Sequence, residues 1–215
     1  DKLIHAHAAA GALLTYAEHT QGRTLPHVSQ LKVQKANDLI DLPTSTRRNL
    51  ELTQTLRGED APTLFSLLDT CMTGMGSRQL KQWLLNPPRD RQIAVERLAA
   101  IAQLNDPSAS AQSGVAIWAR LREQLKGASD VERITARIAL RQVRPRELVA
   151  LKNALIRSAK LAHHLQETLG HLAPTKLLHD IHFDLQPPTG LTEILQQALL
   201  EEPANLIRDG GVMAH

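Results

Sequence analysis

The charged pattern with the clearest spacing in this sequence is a set of arginines. They follow one another at intervals of four, four and three residues: Arg133, Arg137, Arg141 and Arg144. On one continuous helix these positions would lie within about a quarter-turn of a single face. Such a row could bind successive phosphates of a nucleic acid. The alternative is that the guanidinium groups pair with carboxylates such as Glu132 or Glu147, or bridge neighbouring helices. The formal net charge of only +3 favours that alternative.

Two further arginines, Arg47 and Arg48, are adjacent and lie near the predicted start of a helix. Cations at a helix N-terminus oppose the helix dipole, which costs free energy unless they bind a partner outside the helix. A carboxylate on a neighbouring element is the partner we expect. A nucleic-acid phosphate is the weaker alternative.

A short glycine motif, Gly74-Met75-Gly76, resembles half of a phosphate-binding loop. It lacks the third glycine and the Lys-Ser/Thr pair of such loops, and no strand is predicted before it. We therefore interpret the motif as a device that starts a helix or a turn.

Ten histidines raise the question of a metal site. Three pairs are close in the sequence: His5 and His7, His163 and His164, and His179 and His182. Only the last pair could share a helix face, and no cysteine or third ligand stands at metal-binding spacing nearby. Nothing in the spacing brings Asp184 to Glu193, or Asp69 to Asp90, as an acid and base pair. The sequence therefore predicts no catalytic residue, metal or cofactor in this chain.

The elements that carry these residues have the patterns of helices. Their apolar residues recur at intervals of three and four, and residues that favour helix starts precede them. The predicted helices are 6–19, 43 to about 58, a short one after Thr63, one carrying Met75 to Leu84, one from Asp90 to before Pro107, 112–126, one opened by Asp130, 145–169, and 191–198. Turn chemistry at Asn37-Asp38 predicts one small β-hairpin over 31–42. The predicted fold class is therefore all-α with that single hairpin.

The longest predicted helix carries a heptad-like seam. Its members alternate three- and four-residue spacings: Leu148, Leu151, Leu155, Ser158, Ala162, Leu165 and Leu169. A seam of this kind predicts a long helix that packs lengthwise against other helical structure.

The composition is that of a globular, helical protein. Of the 215 residues, 42% are hydrophobic, 22% are charged and only 2% are aromatic. The single cysteine, Cys71, excludes an internal disulfide and fits a reducing compartment. The sequence shows no membrane span and no signal peptide, which favours a cytoplasmic location. Because the chain starts without Met and stops just after a turn, we expect it to be a piece of a longer protein.

Five short motifs, in order along the chain, resemble those of bacterial MutS-type DNA mismatch repair proteins. They are Thr46-Arg47-Arg48-Asn49-Leu50-Glu51-Leu52, Met75-Gly76-Ser77-Arg78 with Trp83-Leu84 and Pro87, Asp130-Val131-Glu132-Arg133 with Arg137, Arg144-Pro145-Arg146-Glu147-Leu148, and Arg208-Asp209-Gly210-Gly211-Val212. Residues 11–16 and 24–27 also resemble the end of the connector domain of that family. The sequence departs from the family at Gly74, where proline is frequent, and at Met213, where isoleucine is usual.

The resemblance implies a domain organisation. It assigns residues 1–22 to the end of a connector domain, 23–204 to the first half of the helical core or lever domain, and 205–215 to the start of the clamp domain. The mismatch-reading domain and the ATPase, with its ATP and Mg²⁺, would lie outside the chain. Mismatched duplex DNA, a second copy of the parent protein and a MutL-type protein are the implied partners.

Our functional hypothesis from the sequence is mechanical. Close-packed helices move as units, so a long helix could couple the nucleotide state of the ATPase to the DNA clamp in the parent protein. The chain itself would not be an enzyme. The competing hypothesis is a helical module that binds the DNA backbone through Arg133 to Arg144. We also expect apolar surface on the 148–169 face to favour self-association.

Overall fold

The computed structural model describes residues 3–22, 24–25, 28, 30–31, 33, 38–107, 114–169, 173–204 and 210–213. The chain divides into two compact units, residues 1–35 and residues 36–215. Ten helices lie within the described ranges, and β-structure there is confined to two isolated bridges. The all-α prediction is thus confirmed. None of the described helices is long and apolar enough to cross a membrane.

Among its described residues, the first unit contains one helix, α1 (Ile4–Gln21). It ends where Gly22 adopts the left-handed conformation, with φ of 64°, and donates its backbone N–H to the carbonyls of Glu18 and His19. Glycine is favoured at such a position because it has no Cβ to clash. No described residue of α1 is buried within its unit. The predicted helix over 6–19 is confirmed and is slightly longer than expected.

The second unit is a bundle of nine described helices. They are α2 (Thr44–Asn49), α3 (Leu64–Leu68), α4 (Gly74–Leu85), α5 (Arg91–Leu104), α6 (Ile117–Leu125), α7 (Val131–Ala139), α8 (Pro145–Leu169), α9 (Lys176–Asp184) and α10 (Leu191–Ala198).

Side-chain caps start four of these helices. The side chains of Thr63, Thr73, Asp90 and Asp130 each accept a hydrogen bond from a backbone N–H in the first turn. These bonds satisfy donors that have no partner inside the helix. The predicted starts at Thr63, Asp90 and Asp130 are confirmed, and so is Pro145 at the first position of α8.

The helix predicted from residue 43 to about 58 is wrong in its second half. Helix α2 ends at Asn49, and Glu51 takes the left-handed conformation with φ of 46°. The N–H groups of Glu51 and Leu52 then bond back to the carbonyls of Arg48 and Arg47, which is the pairing of a Schellman C-cap. The sequence did not indicate this helix end, because the left-handed position holds a glutamate and glycine is the residue that usually marks it.

Three other elements differ from the prediction. Helix α9 was not predicted as an element. Helix α6 begins only at Ile117, after Gly114 with φ of 66°, and residues 112 and 113 of the predicted helix lie outside the described residues. In the predicted hairpin over 31–42, residues 32 and 34–37, which include Asn37 of its turn, also lie outside them. In its described part, Leu39 forms an antiparallel bridge with Pro88.

Helix α8 lies at the centre of the bundle, where α6, α7, α9 and α10 all pack against it. Every member of the predicted seam from Leu148 to Leu169 is buried or half-buried. The lengthwise packing is therefore confirmed, although four helices share the seam. This burial also removes the seam as the apolar surface that was expected to drive self-association. A core cluster continues from it into α5, α6 and α9: Ala100, Ile117, Leu165, Leu169 and Leu178.

Candidate functional site

The feature that connects most helices of the second unit is α8, with the contacts that fix other helices to it. Helix α9 approaches it closely at Ser158 and Ala162, where small residues leave room. The Ser158 hydroxyl donates to the carbonyl of Leu185, and His182 Nδ1 lies 3.0 Å from the carbonyl oxygen of Ala162. Ala162 is completely buried. Hydrogen bonds to backbone carbonyls thus hold α9 against the middle of α8.

The C-terminus of α6 is fixed to α8 by Arg157. Its Nη1 atom donates to the carbonyls of Gln124 and Lys126, at 2.7 Å each. The free carbonyls at the end of a helix carry partial negative charge, so a guanidinium placed there is favourable.

Helix α4 is linked to α7 by an ion-pair cluster around Arg78. The guanidinium makes a two-pronged bond to Asp130, with Nη1 and Nη2 each 2.8 Å from a carboxylate oxygen. Its Nε donates to Glu132 at 3.1 Å, and Arg133 Nε lies 3.3 Å from Asp130. Two parallel bonds fix the angle between the partners as well as their distance. The cluster therefore sets how the start of α7 faces α4.

The charges of this cluster stabilise one another. Hydrogen bonding from Arg78 is the main influence that lowers the pKa of Asp130, although partial burial opposes it. Hydrogen bonds to Asp130 and Glu132 raise the pKa of Arg78 above its usual range. Asp130 also caps α7 by accepting the N–H of Arg133 at 3.2 Å, so one carboxylate both starts the helix and holds it to α4.

Helix α7 is linked in turn to the first turn of α8. Arg137 Nε lies 3.2 Å from a carboxylate oxygen of Glu147, without hydrogen-bond geometry, and Arg137 Nη2 donates to the carbonyl of Gln142 at 3.1 Å. Glu147 also accepts the backbone N–H of Arg144 at 2.7 Å, at the start of α8. The same carboxylate thus caps α8 and faces the arginine of α7. Ionic contacts therefore connect α4, α7 and α8 in series.

The predicted arginine row does not lie on one helix face. Helix α7 ends at Ala139, Arg141 adopts φ of 54° beyond it, and Arg144 precedes α8. Arg141 closes α7 with a second Schellman pairing, in which the N–H of Gln142 bonds to the carbonyl of Arg137 at 2.8 Å. The prediction of one shared face is wrong because α7 ends before Arg141 and Arg144.

The first two arginines of that row, Arg133 and Arg137, face Asp130 and Glu147 respectively. This matches the alternative drawn from the sequence, in which the arginines pair with carboxylates. Glu147 was named there. The role of Arg78, 52 residues before Asp130, was missed, because no spacing rule relates positions so far apart. Both residues lie in motifs that carried the family resemblance, and this was the signal available.

The expected contact of Arg47 and Arg48 is also different. Because α2 has only six residues, both lie in its last turn, where cations favour the helix dipole. Arg47 Nε donates to the carbonyl of Leu42 at 2.7 Å, and Arg48 Nη2 to that of Leu56 at 3.2 Å. Neither arginine forms an ion pair with a carboxylate in the described part of the chain.

The remaining sequence candidates have structural roles or stay apart. Gly74 and Gly76 lie in the first turn of α4, where Gly76 donates its N–H to the Thr73 hydroxyl at 3.0 Å, so the helix-start interpretation is confirmed. Asp69 accepts from the Ser77 hydroxyl at 3.0 Å, whereas Asp90 caps α5. Among the described residues, no three or more His, Cys, Asp or Glu side chains converge as a metal site.

Comparison with protein families decides what this bundle is. A family model described as MutS domain III matches residues 45–215, which are 171 of the 215 residues. The chain belongs to the MutS family. The matched range contains α3 to α10 and the ionic contacts among α4, α7 and α8. The match to MutS domain III places the chain among the DNA mismatch repair proteins, as its motifs indicated.

Proposed function

We propose that this MutS domain III chain is a lever, which couples the state of an ATPase to a DNA clamp in the intact mismatch repair protein. The observation that carries the proposal is α8, a single 25-residue helix with four other helices packed along it. At about 1.5 Å per residue such a helix is about 37 Å long. The proposal assigns no catalytic or cofactor-binding residue to this chain.

The packing supports transmission of a displacement. Side chains in a close-packed interior cannot adjust continuously, so helices shift as units. The two ion-pair contacts, Arg78 with Asp130 and Arg137 with Glu147, offer a route from α4 through α7 to α8. Coupling by this route requires two arrangements of the bundle that both ends favour to different degrees.

The test softens α8 without changing its buried face, in an intact MutS protein that carries this chain. Asn153 and Gln166 are exposed positions on α8. Replacing both with glycine lowers helix stability by about 2 kcal/mol relative to alanine at the same positions. We expect the N153G/Q166G protein to lose nucleotide-dependent clamp formation on end-blocked mismatched DNA, and the N153A/Q166A protein to keep it.

Two controls accompany this measurement. Circular dichroism must show both proteins folded, and their ATP hydrolysis without DNA should be equal. If the folded glycine variant forms clamps as well as the alanine variant does, a stiff α8 is not required and the lever proposal is wrong.

A second function, binding of the DNA backbone, has one observation in its favour. Arg141 and Arg144 are exposed, and neither is in an ion pair with a described carboxylate. This alternative predicts that the chain alone binds duplex DNA through these two residues. The lever proposal predicts that it does not, because the clamp would make the contacts with DNA.

A further inference from the structure

A cavity of about 460 Å³ lies between α2 and the turn formed by residues 53–58. Ligand sites in proteins commonly enclose about 300–1,000 Å³, so the volume is sufficient for a small ligand. Three arginines line it, Arg47, Arg48 and Arg57, and no carboxylate is among its lining residues. The polar remainder of the lining consists of hydroxyl and amide groups, from Thr44, Thr53, Gln54 and Thr55.

The arginines are held in place by neutral groups. Arg47 donates one N–H to the backbone carbonyl of Leu42, and Arg48 donates one to that of Leu56. Their other N–H groups are left for a ligand. The side chain of Arg57 has no hydrogen bond or ion pair to another described residue. The three positive charges are therefore concentrated without a described counter-ion.

The carboxylate of Glu51, three residues after Arg48, already binds a backbone group. Glu51 accepts the backbone N–H of Leu56 at 2.7 Å. This bond, together with that of Arg48 to the Leu56 carbonyl, ties the turn to the end of α2. Within the turn, Thr55 exchanges bonds with Glu59: its N–H donates to the Glu59 carbonyl at 2.8 Å, and its hydroxyl accepts the Glu59 N–H at 3.0 Å. The cavity wall is thus fixed before any ligand binds.

We propose that this cavity binds a phosphoryl group. A phosphate monoester carries about two negative charges and three strong acceptor oxygens, which matches several guanidinium groups better than the single charge of a carboxylate does. Arginine is suited to this role because its planar donors pair with phosphate oxygens in twos. The surrounding threonine hydroxyls and the Gln54 amide supply further donors. The proposal is independent of the lever function, because it concerns α2 and the following turn.

The test is isothermal titration calorimetry of the whole chain in a low-salt buffer free of phosphate. The probes are pyrophosphate, a thymidine trinucleotide without terminal phosphates, and citrate. We expect pyrophosphate to bind more tightly than citrate. Binding of the trinucleotide as well would identify phosphodiesters as a source of the group, whereas binding of pyrophosphate alone would identify a free or terminal phosphate.

Matched variants locate the binding. Arg57→Gln removes one charge without breaking a described contact, and we expect it to weaken pyrophosphate binding about tenfold, the effect of losing one charge-assisted hydrogen bond. Arg48→Gln should weaken it as well. Arg91→Gln removes an exposed charge at the start of α5 and should leave binding unchanged.

Three results would overturn the proposal. They are the absence of heat with pyrophosphate at millimolar concentrations, tighter binding of citrate than of pyrophosphate, and equal weakening by Arg91→Gln and Arg57→Gln. The last result would mean that only net charge matters. Because the Arg57 side chain makes no described bond, its replacement should leave the fold intact. A thermal melt of the variant checks that it is folded.

Discussion

Arg78 shows how much of this domain depends on single side chains. Its guanidinium binds Asp130 and Glu132 on α7 from a position on α4. Since Arg78 and Asp130 are both partly exposed, water weakens the attraction, and the main value of the contact is geometric. Its two-pronged form holds the two helices at a defined angle.

The first prediction concerns the pH dependence of stability. The pKa of Asp130 is lowered in the folded chain, so its ionised form stabilises the fold at neutral pH. That contribution begins to fall below the ordinary carboxyl value of about 3.9 and is lost as the pH drops through the lowered pKa. We expect Asp130→Asn to reduce stability at pH 7 and to flatten the acid limb of a urea-denaturation profile.

The substitution isolates the charge, because asparagine caps helices about as well as aspartate does. Asp41→Asn, at an exposed position outside the helices, is the control and should leave the acid limb steep. An acid limb that is unchanged in the Asp130 variant would show that the ion pair adds nothing to stability.

A second prediction concerns the left-handed residue Arg141, with φ of 54°. A side chain at such a position clashes with the backbone, whereas glycine does not. We expect Arg141→Gly to be more stable than Arg141→Ala by about 1 kcal/mol in urea denaturation. The alanine variant separates the loss of the side chain from the relief of the backbone. Equal stability of the two would mean that the conformation carries no strain.

Residue-level features could be predicted only where the signal is local. The caps at Thr63, Asp90 and Asp130 follow from residue types beside apolar runs, and all three are confirmed. The early end of α2 was not predictable in this way, because Glu51 occupies the position where glycine would mark a helix end. Two of the cavity arginines, Arg47 and Arg48, were noticed as cations, but their placement depends on that early end. The third, Arg57, was not singled out from the sequence.

At the scale of elements, the predictable part was α8. One face of α8 is buried along its whole length, so apolar residues recur at regular intervals in its sequence, and this periodicity can be recognised. Helix α9 lacks such a signal. No side chain caps its start, and Leu185 rather than glycine ends it. Its boundaries are set by packing on α5 and α8, which the sequence of α9 alone does not reveal.

A third prediction tests the central position of α8. Leu165 is buried in the cluster shared with α5, α6 and α9. Leu165→Ala should lower the free energy of unfolding by about 2–5 kcal/mol, because it removes buried methyl groups and leaves a cavity. Leu98→Ala makes the same change on α5, where the side chain is 65% exposed. It should cost no more than about 0.5 kcal/mol. Equal losses in urea denaturation would contradict a core centred on α8.

At the scale of the whole molecule, the family match and the helical bundle identify a MutS domain III chain. The domain boundaries at residues 22 and 204, and the partners implied by the family, remain predictions. Only the order of motifs along the chain supports them.

A fourth prediction addresses DNA binding by the chain alone. Fluorescence anisotropy with a labelled duplex over a series of salt concentrations should show no binding that depends on Arg141 and Arg144. If those arginines did neutralise phosphates, the slope of log K against log salt would fall in magnitude by about one for each residue replaced by alanine. Such a change in the R141A/R144A variant would favour the DNA-binding alternative over the lever.

The order of the helices around α8 also bears on how quickly the domain folds. Helices α6 and α7 precede α8 directly, and α9 and α10 follow it. Short loops therefore close around a central nucleus, at a small cost in chain entropy. A contact between segments far apart in the sequence links α5 to the start of α9: the Thr175 N–H donates to Gln103 Oε1, across 72 residues. We expect α6, α7, α9 and α10 to pack on α8 first and α5 to pack last. The slowest phase of refolding should then be the one in which the Gln103 side chain forms its bond to Thr175.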